Sequence, residues 1–457
     1  MFIHARNALL AEGWAGNVRL HVKGGMIAEI AAGVAAQEGD NQVDALLPAQ
    51  GNLHSHSFQR AMAGMTEYRA TGKAAASDNF WTWRELMYRF LDHLTPDDVE
   101  AIAALVFMEM QEAGFAAVGE FHYLHHQPGG APYDAPDEVA QRILAAASQT
   151  GIGLTLLPVL YAFGGTGEQD LHGGQLRFGN DYNRFCTLVE SIHAAARHAP
   201  PDTKIGVAPH SLRATNPRQM AAIAADFSGG PIHIHAAEQP KEVADTIAWL
   251  GARPVEWLLD TVGLGPNWCL IHATHMTADE TIRFAQSGAV AGLCPLTESN
   301  LGDGIFNGVE YLAAGGAFGV GSDSCIRISV AGELATLEYS QRLKALGRNV
   351  LAVDPGSIGQ QLYARAARGS AQALGRNAGQ IAVGKLADLV AIDSAHPALC
   401  ALTPAQLVDG WVFASHGDVV TDVWSAGRHA VKDGRHVARE AILNRYRSTM
   451  TALVARL

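Results

Sequence analysis

Apolar and polar positions follow two textures along this chain, and their order predicts the architecture. Residues 1 to about 50 alternate apolar and polar positions with glycine punctuation, as in Val18-Arg19-Leu20-His21-Val22-Lys23-Gly24-Gly25-Met26-Ile27. That is the pattern of short antiparallel strands joined by tight turns. The texture returns only near the far end, in Gly379 to Asp393 and in Val419 to Val437. Residues 1–48 and 376–457 are therefore expected to join in one small, β-sandwich-like sheet domain, although two independent caps would leave the same pattern.

Between these ends, short apolar runs alternate with helical periodicity, the signature of parallel βα units. Eight runs are expected as strands: Leu46–His56, Ala116–Tyr123, Leu154–Tyr161, Lys204–Ser211, Pro231–Glu238, Trp268–His275, Ala289–Leu296 and Phe318–Asp323. Helices such as Asp97–Ala113 and Asn216–Asp226 follow their strands, and each opens near an Asp, Thr or Asn able to cap it. Eight such units across residues 49–375 predict an α/β fold, a (β/α)₈ TIM barrel, with a doubly wound open sheet as the alternative. A long insertion, Arg60 to Pro96, follows the first strand and carries the aromatic stretch Phe80-Trp81-Thr82-Trp83. Segments of this length in compact domains are functional lids or disordered, and the aromatics favour order.

Composition narrows the function classes. A chain of 457 residues exceeds the usual size of a single core, and 48% apolar with 17% charged residues is an ordinary globular composition. A net charge of −12 without a Lys/Arg cluster argues against nucleic-acid or anionic-membrane partners. Five scattered cysteines, none in a Cys-x-x-Cys pair, disfavour a disulfide framework and a Cys-rich zinc site. The first residues lack a basic region followed by an apolar run, and no stretch approaches about 18 uninterrupted apolar residues. The expectation is a soluble, cytoplasmic protein.

The chemistry gathers at strand ends. His54 and His56 lie one residue apart on one predicted strand, so both imidazoles point to the same side and can share a metal ion. Alone, the pair reads equally as two polar residues at a strand end, and His233-Ile-His235 repeats the pattern. Barrel active sites, however, sit at the C-terminal ends of the strands. Strand one ends at His54 and His56, strand five at His235 with Glu238 beyond it, strand six at His272 and strand eight at Asp323. Three imidazoles, His54, His56 and His235, with the carboxylate of Asp323 suit one Zn²⁺, while Fe²⁺ or Mn²⁺ share such ligands. Such an ion brings the pKa of a water near neutrality. Glu238 is then placed to shuttle a proton to the leaving nitrogen, and His272 to hold or deprotonate the water. Against each role stands a plainer one: Glu238 as a cap for a helix near Pro240, His233 as a packed barrel residue, His275 in place of His272, and Asp323 as a turn aspartate.

These residues resemble the amidohydrolase superfamily of metal-dependent barrel hydrolases over nearly the whole chain. The resemblance rests on Gly51-Asn-Leu-His-Ser-His56, His235-Ala-Ala-Glu238, His272, Gly321-Ser-Asp323 and Gly384-Lys-Leu-Ala-Asp-Leu-Val-Ala-Ile-Asp393. Binuclear members offer a lysine at the end of strand four; here that strand ends Ala208-Pro-His210, as in the mononuclear deaminase branch. Within that branch the chain resembles the enzymes that deiminate N-formimino-L-glutamate in bacterial histidine degradation. The resemblance implies substrate contacts from Gln59, Arg84, Tyr123, His210 and Arg213. Arginine forks suit a substrate with two carboxylates. It implies catalytic roles for Glu238, His272 and Asp323, a small-molecule dianion as substrate, and a homodimer. The alternatives are a mononuclear deaminase of a purine, pterin or related ring, and a non-catalytic scaffold that kept the barrel.

Overall fold

The computed structural model describes residues 1–67 and 79–456, so part of the predicted insertion lies outside the described residues. Strands from both termini build one eight-stranded sheet. Its spatial order is Arg435–His436, Arg428–Lys432, Val420–Ser425, Leu389–Ile392, Asn41–Pro48, Phe2–Leu10, Gly13–Lys23 and Met26–Ala31. The two halves are joined where Leu389–Ile392 pairs antiparallel with Ala45–Pro48. Strand alternation gives the sheet two apolar faces. Leu46, Leu389, Ala391 and Trp424 enter a cluster of their own with Ile3, Val18 and Leu20, while Ala45, Leu47, Val390, Ile392 and Val423 join the main core. The turns beside that cluster are tied together: Ala387 N–H donates to Gly25 O at 2.9 Å and Gly427 N–H to Ala387 O at 3.0 Å.

The middle of the chain forms the barrel. Its strands are Gln50–Ser55, Phe115–His122, Gly153–Leu160, a broken fourth strand at Lys204–Ile205 and Ala208–Pro209, then Ile232–Ala236, Trp268–His272, Val290–Leu293 and Ala317–Val320. Strands one to four and five to eight pair in parallel as two arcs. Short bridges close the ring, Val207 and Ser211 to Ile232 and His235 on one side and Ser55 to Asp323 on the other. The predicted run Leu46–His56 is in fact two strands: Asn41–Pro48 belongs to the terminal sheet and barrel strand one begins only at Gln50. Proline at 48 removes a ladder donor at the break, and Ala49 N–H instead reaches Asp388 O at 3.0 Å.

The predicted strands also overshoot their C-terminal ends, for a reason that matters to the site. Ala237, His272, Ala273 and Asp323 have φ of 50°, 67°, 48° and 46°, left-handed values that turn the chain sharply where strands five, six and eight stop. Helices begin as their sequences predict: Thr95 and Asp98 form a capping box for Pro96–Glu112, and Asn216 and Gln219 one for Pro217–Asp226, each with proline in the first turn. Among the described residues, several helices have no counterpart in the strand pattern. Phe80–Leu91 lies in the insertion, Arg439–Val454 packs on Pro96–Glu112, and Ile358–Ala373 closes the barrel floor. From the end of the last helix, Ala373 and Leu374 cluster with Leu53, Ala117, Cys269 and Ile271 inside the barrel.

Candidate active site

Four side chains predicted from three strand ends meet at the open end of the barrel. The Nε2 atoms of His54 and His235 lie 3.1 Å apart, and those of His54 and His56 each stand 3.4 Å from Asp323 Oδ1. All four residues are buried. Their spacing depends on a close approach between strands one and eight: a Cβ on Gly321 would lie 2.7 Å from His54 N, so only glycine lets Asp323 N–H reach His54 O at 2.9 Å. The outer hydrogen bonds of His56 and His235 suit the donor set to a cation. His56 Nδ1 faces Phe121 O at 3.0 Å and His235 Nδ1 faces His210 O at 3.1 Å. A carbonyl accepts only, so each Nδ1 carries the proton and each Nε2 turns a lone pair into the site. Burial, reinforced by neighbouring imidazoles, holds His54 down to about 3 and lowers His235 well below the ordinary histidine range. Burial works against the Asp323 carboxylate, but the three imidazoles around it outweigh that and keep it below the usual range. Neutral imidazoles converging on one carboxylate are what a divalent cation requires.

A second layer lies against this group. His272 Nε2 stands 3.8 Å from both Glu238 Oε1 and Asp323 Oδ2. Burial opposes a charged His272, yet the Glu298 hydrogen bond and the surrounding carboxylates raise it to about 10. Glu238 does not cap the following helix; Gln239 occupies that position without a side-chain bond, and Glu238 Oε2 instead accepts from Arg213 Nη2 at 3.1 Å. Its backbone N–H is held by Glu242 at 3.0 Å. The two alternative histidines have other partners: His233 Nε2 bonds Ala373 O at 2.8 Å on the barrel floor, and His275 Nε2 bonds Asp303 O at 2.7 Å. Behind His56, the Glu120 carboxylate accepts from Ser57 N–H at 2.8 Å, and burial raises it to about 7.

All five residues given by the resemblance as substrate contacts line the cavity above His56, His235 and Asp323. Gln59 Nε2 donates to Tyr123 OH at 2.9 Å, and His210 Nδ1 pairs with Ser211 Oγ at 2.9 Å. Arg84 enters from Phe80–Leu91, with its guanidinium 5.4 Å from the Tyr88 ring centre. Sequence reasoning missed the aromatic wall of Phe80, Trp83, Tyr88, Tyr161 and Phe178, and the buried carboxylates of Glu242 and Glu298. The aromatics follow no strand-end rule. Glu298 could have been found, since Cys294-Pro-Leu-Thr-Glu298 lies just beyond strand seven.

A barrel with imidazoles and a carboxylate converging at its strand ends defines a class of metal-binding hydrolases, and comparison with known proteins agrees. Residues 45–430 match the Amidohydrolase family, and residues 1–44 match the Formimidoylglutamate deiminase HutF, N-terminal domain. The chain belongs to the amidohydrolase family. It is 47% identical to the formimidoylglutamate deiminase of Pseudomonas aeruginosa over 96% of each chain. An 8-oxoguanine deaminase from the same organism is 28% identical over 95% of each chain. The crystal structure of an amidohydrolase from Brucella melitensis superimposes with a TM-score of 0.94, at 46% identity and covering 99% of both chains. Among the described residues, no helix is long and apolar enough to cross a membrane.

Proposed function

We propose that this chain hydrolyses the formimino carbon–nitrogen bond of N-formimino-L-glutamate, giving N-formyl-L-glutamate and ammonia in histidine degradation. The observation that carries the reading is 47% identity across 96% of the chain to a formimidoylglutamate deiminase, joined by the matching N-terminal domain at residues 1–44. The cavity supports it. Arg84 and Arg213 both face the space above the histidine and aspartate cluster, and each offers a fork suited to one carboxylate of a dianion. His54, His56, His235 and Asp323 would hold the cation, taken to be zinc. When bound, such an ion supplies Lewis acidity and acidifies water.

The chain's own residues divide the remaining work. Arg84 and Arg213 orient the glutamate part, with Gln59, Tyr123 and His210 lining the approach. Water adds to the amidine carbon with His272 holding it in place; its first proton passes to Asp323 and its second leaves the adduct's hydroxyl as the carbonyl forms, and Glu238 relays both to the terminal nitrogen, whose bond to carbon breaks to release ammonia. Purified, zinc-loaded protein mixed with N-formimino-L-glutamate should release ammonia in step with N-formyl-L-glutamate. No release, with rapid turnover of an aromatic amine instead, would refute the substrate.

The aromatic wall and the 28% identity to an 8-oxoguanine deaminase favour a second reading, deamination of a purine or related ring. Arginine variants separate the two, as argued below. The first reading also places the enzyme in the cytoplasm as a homodimer, which sedimentation of the purified protein tests.

A further inference from the structure

The four histidines at the strand ends differ in what faces their second ring nitrogen. His56 and His235 each meet a backbone carbonyl, Phe121 O and His210 O. His272 meets a carboxylate: its Nδ1 stands 3.3 Å from Glu298 Oε1. That oxygen also accepts Cys294 N–H at 2.9 Å, and Glu298 itself is only 6% exposed, in the first turn of the helix Pro295–Leu301. The chain reinforces the placement, because Asp303 N–H donates to the Glu298 backbone oxygen at 2.9 Å.

We propose that Glu298 is a positioning residue for His272, holding the proton on Nδ1 so that Nε2 faces Glu238 and Asp323. The inference rests on the function proposed above. An imidazole has two nitrogens, and the partner of one decides the role of the other. Without an acceptor at Nδ1, the ring is free to flip or to exchange tautomers, and Nε2 loses its direction toward the carboxylates 3.8 Å away. A carbonyl suffices where the ring only has to stay neutral. A carboxylate also compensates positive charge on the ring, so the histidine with the anionic partner is the one suited to hold water at Nε2 beside Glu238 and Asp323. His272, Cys294 and Glu298 are also close enough to form a separate cation site. The hydrogen bond from Cys294 N–H to the same carboxylate oxygen, and the line of His272 Nε2 toward the cavity, favour a positioning role.

Proton NMR of the holoenzyme tests this without reference to any substrate. The wild type should show a low-field imidazole N–H resonance that disappears in His272→Asn and is displaced or lost in Glu298→Gln. In steady-state assays Glu298→Gln should lower kcat by about 10- to 100-fold, the usual size for an outer hydrogen-bond partner, with KM unchanged. Its metal content should equal that of the wild type. Three results would overturn the proposal: a low-field resonance that survives Glu298→Gln, an unchanged kcat, or loss of a metal equivalent, which would make the cluster a second ion site. If Glu298→Gln does not fold, the His272→Asn spectrum still decides, because a wild type without a resonance assignable to His272 excludes the bond. A wild type inert toward N-formimino-L-glutamate that retains the resonance would reject the substrate and leave the bond standing.

Discussion

At the scale of single residues, Arg213 carries the sharpest consequence, because it touches two parts of the proposed reaction. It lines the cavity and also pairs with Glu238 at 3.1 Å, both side chains being buried. Arg84 lines the same cavity from the helix Phe80–Leu91. Hydrogen bonds to charged groups are worth about 1.5–3 kcal/mol, and about 1.4 kcal/mol is tenfold in binding. Arg84→Met should therefore raise KM for N-formimino-L-glutamate by about 10- to 100-fold with little change in kcat. Arg213→Met should raise KM similarly and also lower kcat, since it strips Glu238 of its buried partner. A ring deaminase would show neither KM effect, so the pair of variants separates the two readings of the cavity.

At the scale of elements, the helix Phe80–Leu91 walls one part of the cavity at the barrel mouth, since it brings Phe80, Trp83, Arg84, Met87 and Tyr88 to the site. Its C-terminal end is fastened by Arg177, which is only 1% exposed. Arg177 donates to the carbonyls of Leu91, Leu94 and His126. Leu91 O also accepts Leu94 N–H at 3.1 Å, so the helix end is held by backbone and side chain together. Arg177→Met removes the side-chain bonds, at about 1–3 kcal/mol for each buried group left unsatisfied. The expected outcome is a lower melting temperature together with a raised KM and a kcat close to wild type. A destabilised variant with unchanged KM would show that the anchor does not govern the cavity.

At the scale of the whole molecule, the terminal sheet and the barrel are joined by a buried charge network. Arg376 bonds both oxygens of Asp388 at 3.0 and 2.9 Å and Asp202 Oδ2 at 3.1 Å, while Arg428 reaches Asp202 Oδ1 at 2.7 Å. Asp202 belongs to the segment leading into strand four, Asp388 and Arg428 to the sheet. Removing one member of such a network leaves buried charges uncompensated, so Arg376→Met should cost about 3–5 kcal/mol of stability. Activity per folded molecule should persist, because none of these residues lines the cavity. The same network sets an acid limit. Burial disfavours the Asp202 carboxylate, but Arg428 and Arg376 outweigh it and lower its pKa below the ordinary 3.8. The unfolded chain therefore binds the proton first as pH falls, and this stabilisation is present above 3.8 and lost as pH drops through the folded value. Thermal unfolding followed between pH 6 and 2 should show a shallower acid decline for Arg376→Met than for the wild type, which retains the network to lose.

The alternation of strand residues and the order of apolar runs predicted the barrel, the β-rich ends and the strand ends from which His54, His56, His235, His272 and Asp323 project, while the pairing of Leu389–Ile392 with Ala45–Pro48 decided that the two ends share one sheet. The predicted features are local: a two-residue period puts both histidines of the first strand on one face, and a strand end is marked where the apolar run stops. Tertiary structure alone decided the rest. The division of Leu46–His56 between sheet and barrel depends on Asp388, more than 300 residues away in the sequence, which accepts the Ala49 amide. The left-handed turns at Ala237, His272 and Asp323 occupy non-glycine residues, where such values are uncommon and the surrounding packing holds them. The aromatic wall, the Arg177 anchor and the placement of Glu298 against His272 likewise arise between elements distant in sequence, where periodicity carries no information. The sequence determined which residues could hold a metal, and the fold decided which buried carboxylate faces each imidazole, because only close packing sets a hydrogen-bond partner across a barrel.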